Sequence, residues 1–229
     1  MAFKHFEHGI DLPKLTRKTT EEGRRYFTPT GEAYPSVTTV LSILSKAGII
    51  AWRKRVGEDV ANRISSQASR RGTAVHKICE NYIDNKEDWK EGVQPSNMYM
   101  FNSMKPVLDD KISNVWFQEC FLYSDELQTA GQVDCIGEWE GELAVIDFKT
   151  SRRLKKESDI TGYFMQVAFY AKAFTEMTGT EVNKGVVFIG VDDNDPQTFV
   201  FNTNEYLDHF KAVREKYSEL HEKEKIHFS

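Results

Sequence analysis

The sequence predicts a mixed α/β (α+β) fold, in which helices flank a central mixed sheet and an extra helical region precedes the sheet. A Glu140-Gly141 dipeptide between two strand-like segments is typical of a two-residue hairpin turn. Apolar residues recur at helical spacing before and after this hairpin. One apolar stripe on a charged segment marks the last helix, which we expect to pack against the sheet. The stripe consists of Tyr206, Phe210, Val213, Tyr217 and Leu220.

The elements before the central hairpin begin with a smaller hairpin around Thr30-Gly31. Pro35 ends its second strand, and Ser36 can cap the helix that follows. The segment 115–123 is predicted as an edge strand that carries Glu119. The other predicted strands are 25–28, 32–34, 132–139, 142–150, 185–191 and 198–201, and the other predicted helices are 37–44, 50–65, 68–85, 96–108 and 162–178.

Length and composition indicate one domain. No Gly/Ser/Pro-rich linker divides the 229 residues, and 40% hydrophobic content is enough for a sizeable core. We expect 1–66 to form the hairpin and helical region and 67–229 to form the core. No run approaches the ~18–20 apolar residues of a membrane span, and the polar start lacks a signal-peptide stretch. We therefore expect no membrane contact and a cytoplasmic location.

The cysteines argue for reduced thiols rather than for a cofactor site. Cys79, Cys120 and Cys135 are scattered and have no Cys-x-x-Cys spacing. Three cysteines cannot build a four-cysteine iron–sulfur cluster within this chain.

The predicted central hairpin brings charged residues together. A two-residue turn at 140–141 pairs residues whose numbers sum to 281, so Asp134 lies opposite Asp147. Opposed residues point to the same face, and the strand period of two adds Lys149. A divalent cation with oxygen ligands would stabilise two carboxylates that otherwise repel each other. A register slip of one residue would separate them, and a lone Asp-x-Lys is usually a surface ion pair.

In these residues the chain resembles the PD-(D/E)XK nuclease superfamily and, within it, the RecB-like exonucleases. Asp134, Asp147 and Lys149 match the family pattern in order and spacing, although Val133 replaces the proline. The segment 71–76, Arg-Gly-Thr-Ala-Val-His, is similar to the helical first motif of the family, and 166–170 match its Gln-x-x-x-Tyr motif. The segment 34–41 resembles phage exonucleases and the mitochondrial genome maintenance exonuclease type.

The resemblance implies a restriction-endonuclease-like core and a Mg²⁺ ion, with Mn²⁺ as a substitute. It implies that His76, Asp134, Asp147 and the carbonyl of Phe148 hold the metal, while Lys149 positions water or stabilises the transition state. The resemblance gives two further pairs of residues less direct roles. Gln166 and Tyr170 orient the substrate or the strand that carries Lys149. Glu80 and Glu119 either bind the metal as additional ligands or contact the ligands from behind.

The net charge of −5 opposes a nucleic-acid partner, but the basic residues are clustered. Arg71 and Arg152 flank motifs, so we expect both near a bound DNA strand. Trp52, in the extra helical region, can stack a base at ~1–3 kcal/mol or simply pack within its helix. The resemblance favours single-stranded DNA ends as substrate, in phage or bacterial replication, recombination or repair, together with a protein partner from those processes.

Several alternatives fit the same residues. One is a processive double-strand exonuclease of the phage recombination type. Others are a non-catalytic DNA-binding module and a metal enzyme that acts on a small phosphate ester. The polarity of digestion, the choice between DNA and RNA, the number of metal ions and the oligomeric state do not follow from the sequence.

Overall fold

The structure is a computed structural model that describes residues 2–21 and 23–227, with side chains described through His221. The strands are β1 Lys4–His5, β2 Thr16–Thr20, β3 Gly23–Phe27, β4 Ala33–Pro35, β5 Ile112–Ser124, β6 Thr129–Trp139, β7 Glu142–Ser151, β8 Lys184–Val191 and β9 Gln197–Asn202. The helices are α1 Val37–Leu41, α2 Lys46–Val56, α3 Glu58–Ile83, α4 Pro95–Lys111, α5 Thr161–Thr178 and α6 Asn204–His227.

A six-stranded mixed sheet with the order β1-β5-β6-β7-β8-β9 forms the centre of the fold. The pairs β1–β5 and β7–β8 are parallel, and the other neighbours are antiparallel. Helix α5 provides the crossover that the parallel β7–β8 pair requires. The predicted central mixed sheet is therefore confirmed. The prediction that β5 is an edge strand is wrong, because the unpredicted strand β1 pairs with its outer side.

Side chains that alternate along the central hairpin pack into two hydrophobic cores, one on each face of the sheet. Ile136 and Val145 pack with α5, whereas Cys135 and Ile146 pack with α3 and α4. Helices therefore flank both faces of the sheet, as the sequence predicted.

Helix α6 carries the predicted apolar stripe and packs mainly on α5, while Tyr206 also contacts Phe201 of β9 with ring centres 5.3 Å apart. The rings of Phe210 and Phe169 lie 5.3 Å apart, and those of Tyr206 and Phe164 lie 4.9 Å apart. Helix α5 is apolar on nearly all sides, so it covers the sheet and still needs a second layer. For this reason the expectation that α6 packs against the sheet holds at Tyr206 but is wrong for Phe210, which packs on α5.

The N-terminal region contains a second sheet, β2-β3-β4, and the helices α1 and α2. The predicted β3–β4 hairpin and the Ser36 cap are confirmed, with Ser36 Oγ accepting from the Thr39 N–H at 3.0 Å. The predicted break between the helices 50–65 and 68–85 is wrong, because α3 runs without interruption from Glu58 to Ile83. The break falls at Gly57, whose φ of +86° favours a residue without Cβ.

Within the described residues, no helix is both long and apolar enough to cross a bilayer.

Replacing Phe210 with Ala tests the α5–α6 packing. We expect a loss of about 3–5 kcal/mol in the free energy of unfolding, because the change leaves a cavity in a fully buried position. Leu220→Ala, on the same helix but 42% exposed, should cost less than about 1 kcal/mol. Chemical denaturation measures both values. Equal losses would contradict the packing.

Candidate active site

The β6–β7 hairpin has the predicted register. Its pairs run from Trp139 with Glu142 to Cys135 with Ile146, and every pair sums to 281. The turn residues have φ values of +54° and +79°, as a type I′ turn requires. Just beyond the last pair, the Phe148 N–H donates to Asp134 Oδ2 at 2.8 Å. The hairpin therefore holds the Asp134 carboxylate against the backbone of the strand that carries Asp147.

Lys149 and Asp147 form a buried ion pair beside Asp134. Lys149 Nζ lies 2.5 Å from Asp147 Oδ2 and 5.2 Å from the centre of the Tyr163 ring. Asp147 is 1% exposed, yet neither of its oxygens makes a well-aligned hydrogen bond within the described residues. A buried carboxylate with unsatisfied oxygens is costly unless a cation or donor satisfies it.

Helix α3 brings His76 to this hairpin, and β5 brings Glu119. His76 Nδ1 lies 3.4 Å from Asp134 Oδ2. One ligand atom each from His76, Glu119 and Asp134 lie within 4.8 Å of one another. Glu119 therefore belongs to this innermost group, although the role predicted for it from the sequence was that of an additional metal group or of a residue behind the ligands.

A backbone kink aims Glu119 at the site. Its φ of +51° is left-handed, which costs about 1–3 kcal/mol for a residue with a side chain and is typical of functional sites. The Gln132 side chain donates to the Glu119 carbonyl at 3.1 Å and accepts from Arg17 at 3.2 Å. Gln132 therefore ties the kink to the N-terminal sheet.

The titrating groups of the site perturb one another. Burial, and then Asp134, raises the pKa of Glu119 to about 7. Burial also raises the pKa of Asp147, and Asp134 adds to the effect while Lys149 opposes it. Burial alone would raise the pKa of Asp134 and lower that of His76, but their mutual attraction reverses both directions. Three carboxylates thus share one lysine and one imidazole, an arrangement that favours an added cation.

The donor set fits a divalent metal ion. Asp134, Asp147 and Glu119 offer carboxylate oxygens, and His76 offers a ring nitrogen, a combination that suits Mg²⁺ or Mn²⁺. His76, Glu119 and Asp134 form the one cluster of metal-binding type in the part of the chain that the structure describes, and the buried Asp147 lies beside it. The three thiols are unpaired, and burial raises the pKa of each, so they stay protonated.

Gln166 and Tyr170 of α5 lie next to the strand that carries Asp134. Tyr170 donates its hydroxyl hydrogen to the Gln132 carbonyl at 2.8 Å and accepts from Gln166 at 3.3 Å. A Cβ on Gly131 would lie 2.7 Å from the Tyr170 ring, so the glycine permits this approach. The pair thereby fixes the position of β6 next to the candidate ligands.

A cleft of about 440 Å³ opens above these residues. The N-terminal sheet and α1 form one wall, and α3 forms the other. Its lining includes the predicted residues His76, Glu80, Glu119, Asp134, Lys149, Gln166 and Tyr170. It also includes Arg24, Ser36, Thr73 and Lys77, for which the sequence predicted no site role. The packing of the N-terminal region on β6 brings Arg24 and Ser36 there, whereas Thr73 and Lys77 lie on α3 next to His76.

Three predicted substrate-binding residues lie outside the cleft lining. Arg71 pairs with Asp192 at 2.5 Å and lines a separate cavity on another face of α3. Arg152 is exposed in the loop after β7, and Trp52 is half-buried on α2. Glu80 does reach the cleft, where it accepts from Lys77 at 2.7 Å.

The sequence profile of the PD-(D/E)XK nuclease superfamily matches residues 98–228, more than half of the chain. The chain belongs to this superfamily. The matched region contains Glu119, Asp134, Asp147 and Lys149. His76 lies before the matched region. Superfamily membership agrees with the donor set, since these nucleases use divalent metal ions.

Proteins named mitochondrial genome maintenance exonuclease 1 are similar to the chain. The human protein is 28% identical over 176 residues, which cover 71% of this chain and 50% of the relative. The Xenopus tropicalis protein is 27% identical over 187 residues, covering 77% and 54%. The mouse protein is 30% identical over 108 residues, covering 45% and 32%. The chain spans about half the length, or less, of the curated relatives it matches.

One solved structure, of a protein from Eubacterium rectale, aligns with a TM-score of 0.39 at 14% identity and covers 64% of this chain and 68% of that one.

Removing the Glu119 charge tests its place among the ligands. Glu119 must lose its proton to bind a cation, so metal affinity should rise from about pH 6 to about pH 8. We expect Glu119→Gln to weaken Mn²⁺ binding and to reduce this pH dependence. Calorimetric titration without DNA measures both effects, and Glu215→Gln, at an exposed position of α6 outside the cleft, is the matched control. A Glu119→Gln protein that binds like wild type at both pH values would exclude Glu119 as a ligand.

Proposed function

We propose that the chain is a metal-dependent deoxyribonuclease that hydrolyses phosphodiester bonds. The observation that carries the proposal is the group of His76, Glu119 and Asp134 in one cleft. Beside Asp134 lies the ion pair between the buried Asp147 and Lys149, which lines the same cleft. We further propose that 1–229 act as one nuclease domain, in which 1–66 supply a wall of the cleft and 67–229 supply the core.

The proposed ion is Mg²⁺, with Mn²⁺ as a substitute. The four ionisable ligands would be His76, Glu119, Asp134 and Asp147, and the carbonyl of Phe148 is the further ligand that the family pattern implies. When bound, the ion would polarise the phosphoryl group and lower the pKa of a water molecule. Asp147 Oδ1 supports this assignment, because it is buried without a partner among the described residues while Lys149 pairs with Oδ2, and a cation would compensate its burial.

Lys149 is the proposed group for the transition state. Its ammonium is buried, and although burial alone would lower its pKa, Asp147 and Asp134 raise it, so it stays charged. A charged donor in a cleft of low dielectric stabilises charge that develops on phosphate oxygens. It also donates a hydrogen bond that can orient the attacking water.

We propose that the substrate is DNA and that a single-stranded end enters the cleft. The exonuclease names of the similar proteins support action from an end. Two walls of the protein border the cleft above the carboxylates, which favours one flexible strand over a duplex. We place this activity in phage or bacterial DNA replication, recombination or repair, in the cytoplasm and with a protein partner from those processes.

Substitution of the acidic residues tests the chemistry. Asp134→Ala and Asp147→Ala should each abolish cleavage while the protein remains folded, since each change also removes a buried charge. Lys149→Ala should lower kcat by about 10²–10³-fold. Digestion of end-labelled DNA with Mg²⁺, Mn²⁺ or chelator is the measurement, and the exposed Asp208→Ala is the control. Near-normal turnover of a folded Asp134→Ala or Asp147→Ala protein would refute the proposal and favour a non-catalytic module.

Substrates of different topology test the mode of attack. We expect a linear single strand to be digested faster than a closed single-stranded circle or a blunt duplex, because the cleft admits one strand end. The three DNA molecules are compared at equal nucleotide concentration, with a mononucleotide ester as a fourth substrate. Rapid loss of the circle would indicate endonuclease action, and faster loss of the duplex would favour a double-strand exonuclease.

A further inference from the structure

Arg24 projects from β3 at the wall of the cleft that the N-terminal sheet supplies. It lines the cleft with Tyr26 and Thr38, whereas Thr73 and Lys77 of α3 line the other wall. None of the family motifs includes this arginine, and the packing of the two sheets alone places it beside the candidate metal ligands.

The backbone of Arg24 is fixed on three sides. Its N–H donates to Thr39 Oγ1 at 3.1 Å, and its carbonyl accepts from the Ser36 N–H at 2.8 Å. It also pairs with Thr19 across β2. The preceding Gly23 has a φ of +114°, and a Cβ there would lie 2.5 Å from the Thr39 methyl group. The base of the Arg24 side chain is therefore held firmly against α1.

The Arg24 guanidinium is exposed and has no ion-pair or hydrogen-bond partner within the described residues. The other two cleft cations are occupied, since Lys77 pairs with Glu80 at 2.7 Å and Lys149 pairs with Asp147 at 2.5 Å. Of the lysines and arginines that the structure describes in the cleft lining, Arg24 alone is available to an incoming anion. A guanidinium binds a phosphate through two parallel hydrogen bonds.

A groove of about 860 Å³ continues from Arg24 past α1. Arg24 and Thr38 line both the cleft and this groove. Further along lies Lys46, which is exposed and, within the described residues, also has no acidic partner. Among the described residues, the rest of the groove lining consists of hydroxyl, apolar and aromatic side chains, together with His221 and one acid, Glu21.

The opposite route across α3 is less suited to a polyanion. The cavity there measures about 730 Å³ and includes Arg70 and Arg71. Arg71 is neutralised by Asp192, and Glu91 adds a second acid to the lining. Among the described residues, a strand that took this route would meet Arg70, the Arg71–Asp192 pair and the acidic Glu91.

We propose that Arg24 binds the backbone phosphate next to the scissile linkage and that the strand continues from there into the α1 groove, where Lys46 meets a later phosphate. The ligand class is a single-stranded polynucleotide, held by its phosphodiester backbone. The inference rests on the proposed nuclease function and adds to it a path for the substrate and the residue that sets this path.

The test is equilibrium binding of a labelled single strand to the full chain carrying Asp134→Ala, with chelator present, over a series of salt concentrations. Adding Arg24→Ala should weaken binding about tenfold, the value of one charge-assisted contact. It should also reduce the slope of log K against log salt by about 0.7, the value of one phosphate on a single strand. Arg24→Lys should keep the slope, because it keeps the charge but loses the two-pronged geometry.

Two comparisons locate the path. Lys46→Ala should weaken binding of a long oligonucleotide but not of one short enough to fill the cleft alone, whereas Arg24→Ala should weaken both. Arg63→Ala, an exposed arginine of α3 outside the cleft and the groove, should change neither affinity nor slope. Thermal melts of the Arg24 variants should coincide with that of the parent, since the Arg24 guanidinium has no ion-pair or hydrogen-bond partner within the described residues.

The inference is overturned if Arg24→Ala matches Arg63→Ala in affinity and slope, or if Arg70→Ala shows the loss instead. Cleavage by the wild-type chain, measured in parallel, separates this failure from failure of the proposed function. A wild-type protein that cleaves DNA while Arg24→Ala binds normally refutes the path alone. A protein that neither cleaves nor binds refutes both.

Discussion

The register of the β6–β7 hairpin decides which side chains meet in this molecule. The two turn residues at 140–141 have left-handed backbones, so the loop has two residues and the strands pair with a constant sum. A shift of one residue would move Asp134 away from Asp147 and would also exchange the residues that enter the two hydrophobic cores. One local turn therefore fixes the site and the packing of the sheet together.

Burial of charge is the second constraint, and it follows from the first. Helices cover both faces of the sheet, so the carboxylates that the hairpin brings together are largely removed from water. Their perturbed pKa values reflect this burial and their mutual repulsion. The protein keeps Lys149 and His76 among them, which reduces the repulsion without cancelling it. Because these buried carboxylates still repel each other, we expect a bound cation to stabilise the site.

The sequence predicted the parts of the site that depend on local rules. Turn chemistry and strand period gave the meeting of Asp134, Asp147 and Lys149, and the family pattern added His76. Glu119 received a minor role because a left-handed kink inside a strand leaves no trace in the apolar pattern. The position of Arg71 outside the cleft also depends on a tertiary contact, because its partner Asp192 is 121 residues away along the chain.

Element boundaries show the same division. The break between α2 and α3 falls at a glycine with positive φ, whereas the apolar pattern suggested a break ten residues later. Strand β1 is too short to carry a pattern of its own, and its pairing with β5 depends on a separation of more than a hundred residues. Helix α6 has a clear stripe, but a stripe does not reveal whether it faces a sheet or another helix.

The central claim is that the hairpin carboxylates form a metal site together with α3 and the kinked strand β5. Anomalous diffraction from crystals of the DNA-free protein soaked in Mn²⁺ tests it most directly. The account predicts a peak at about 2.0–2.4 Å from oxygens of Asp134 and at least one of Asp147 and Glu119, with the His76 ring nitrogen as a further ligand. A well-ordered site with no such peak at saturating Mn²⁺, or a peak held by other residues, would contradict it.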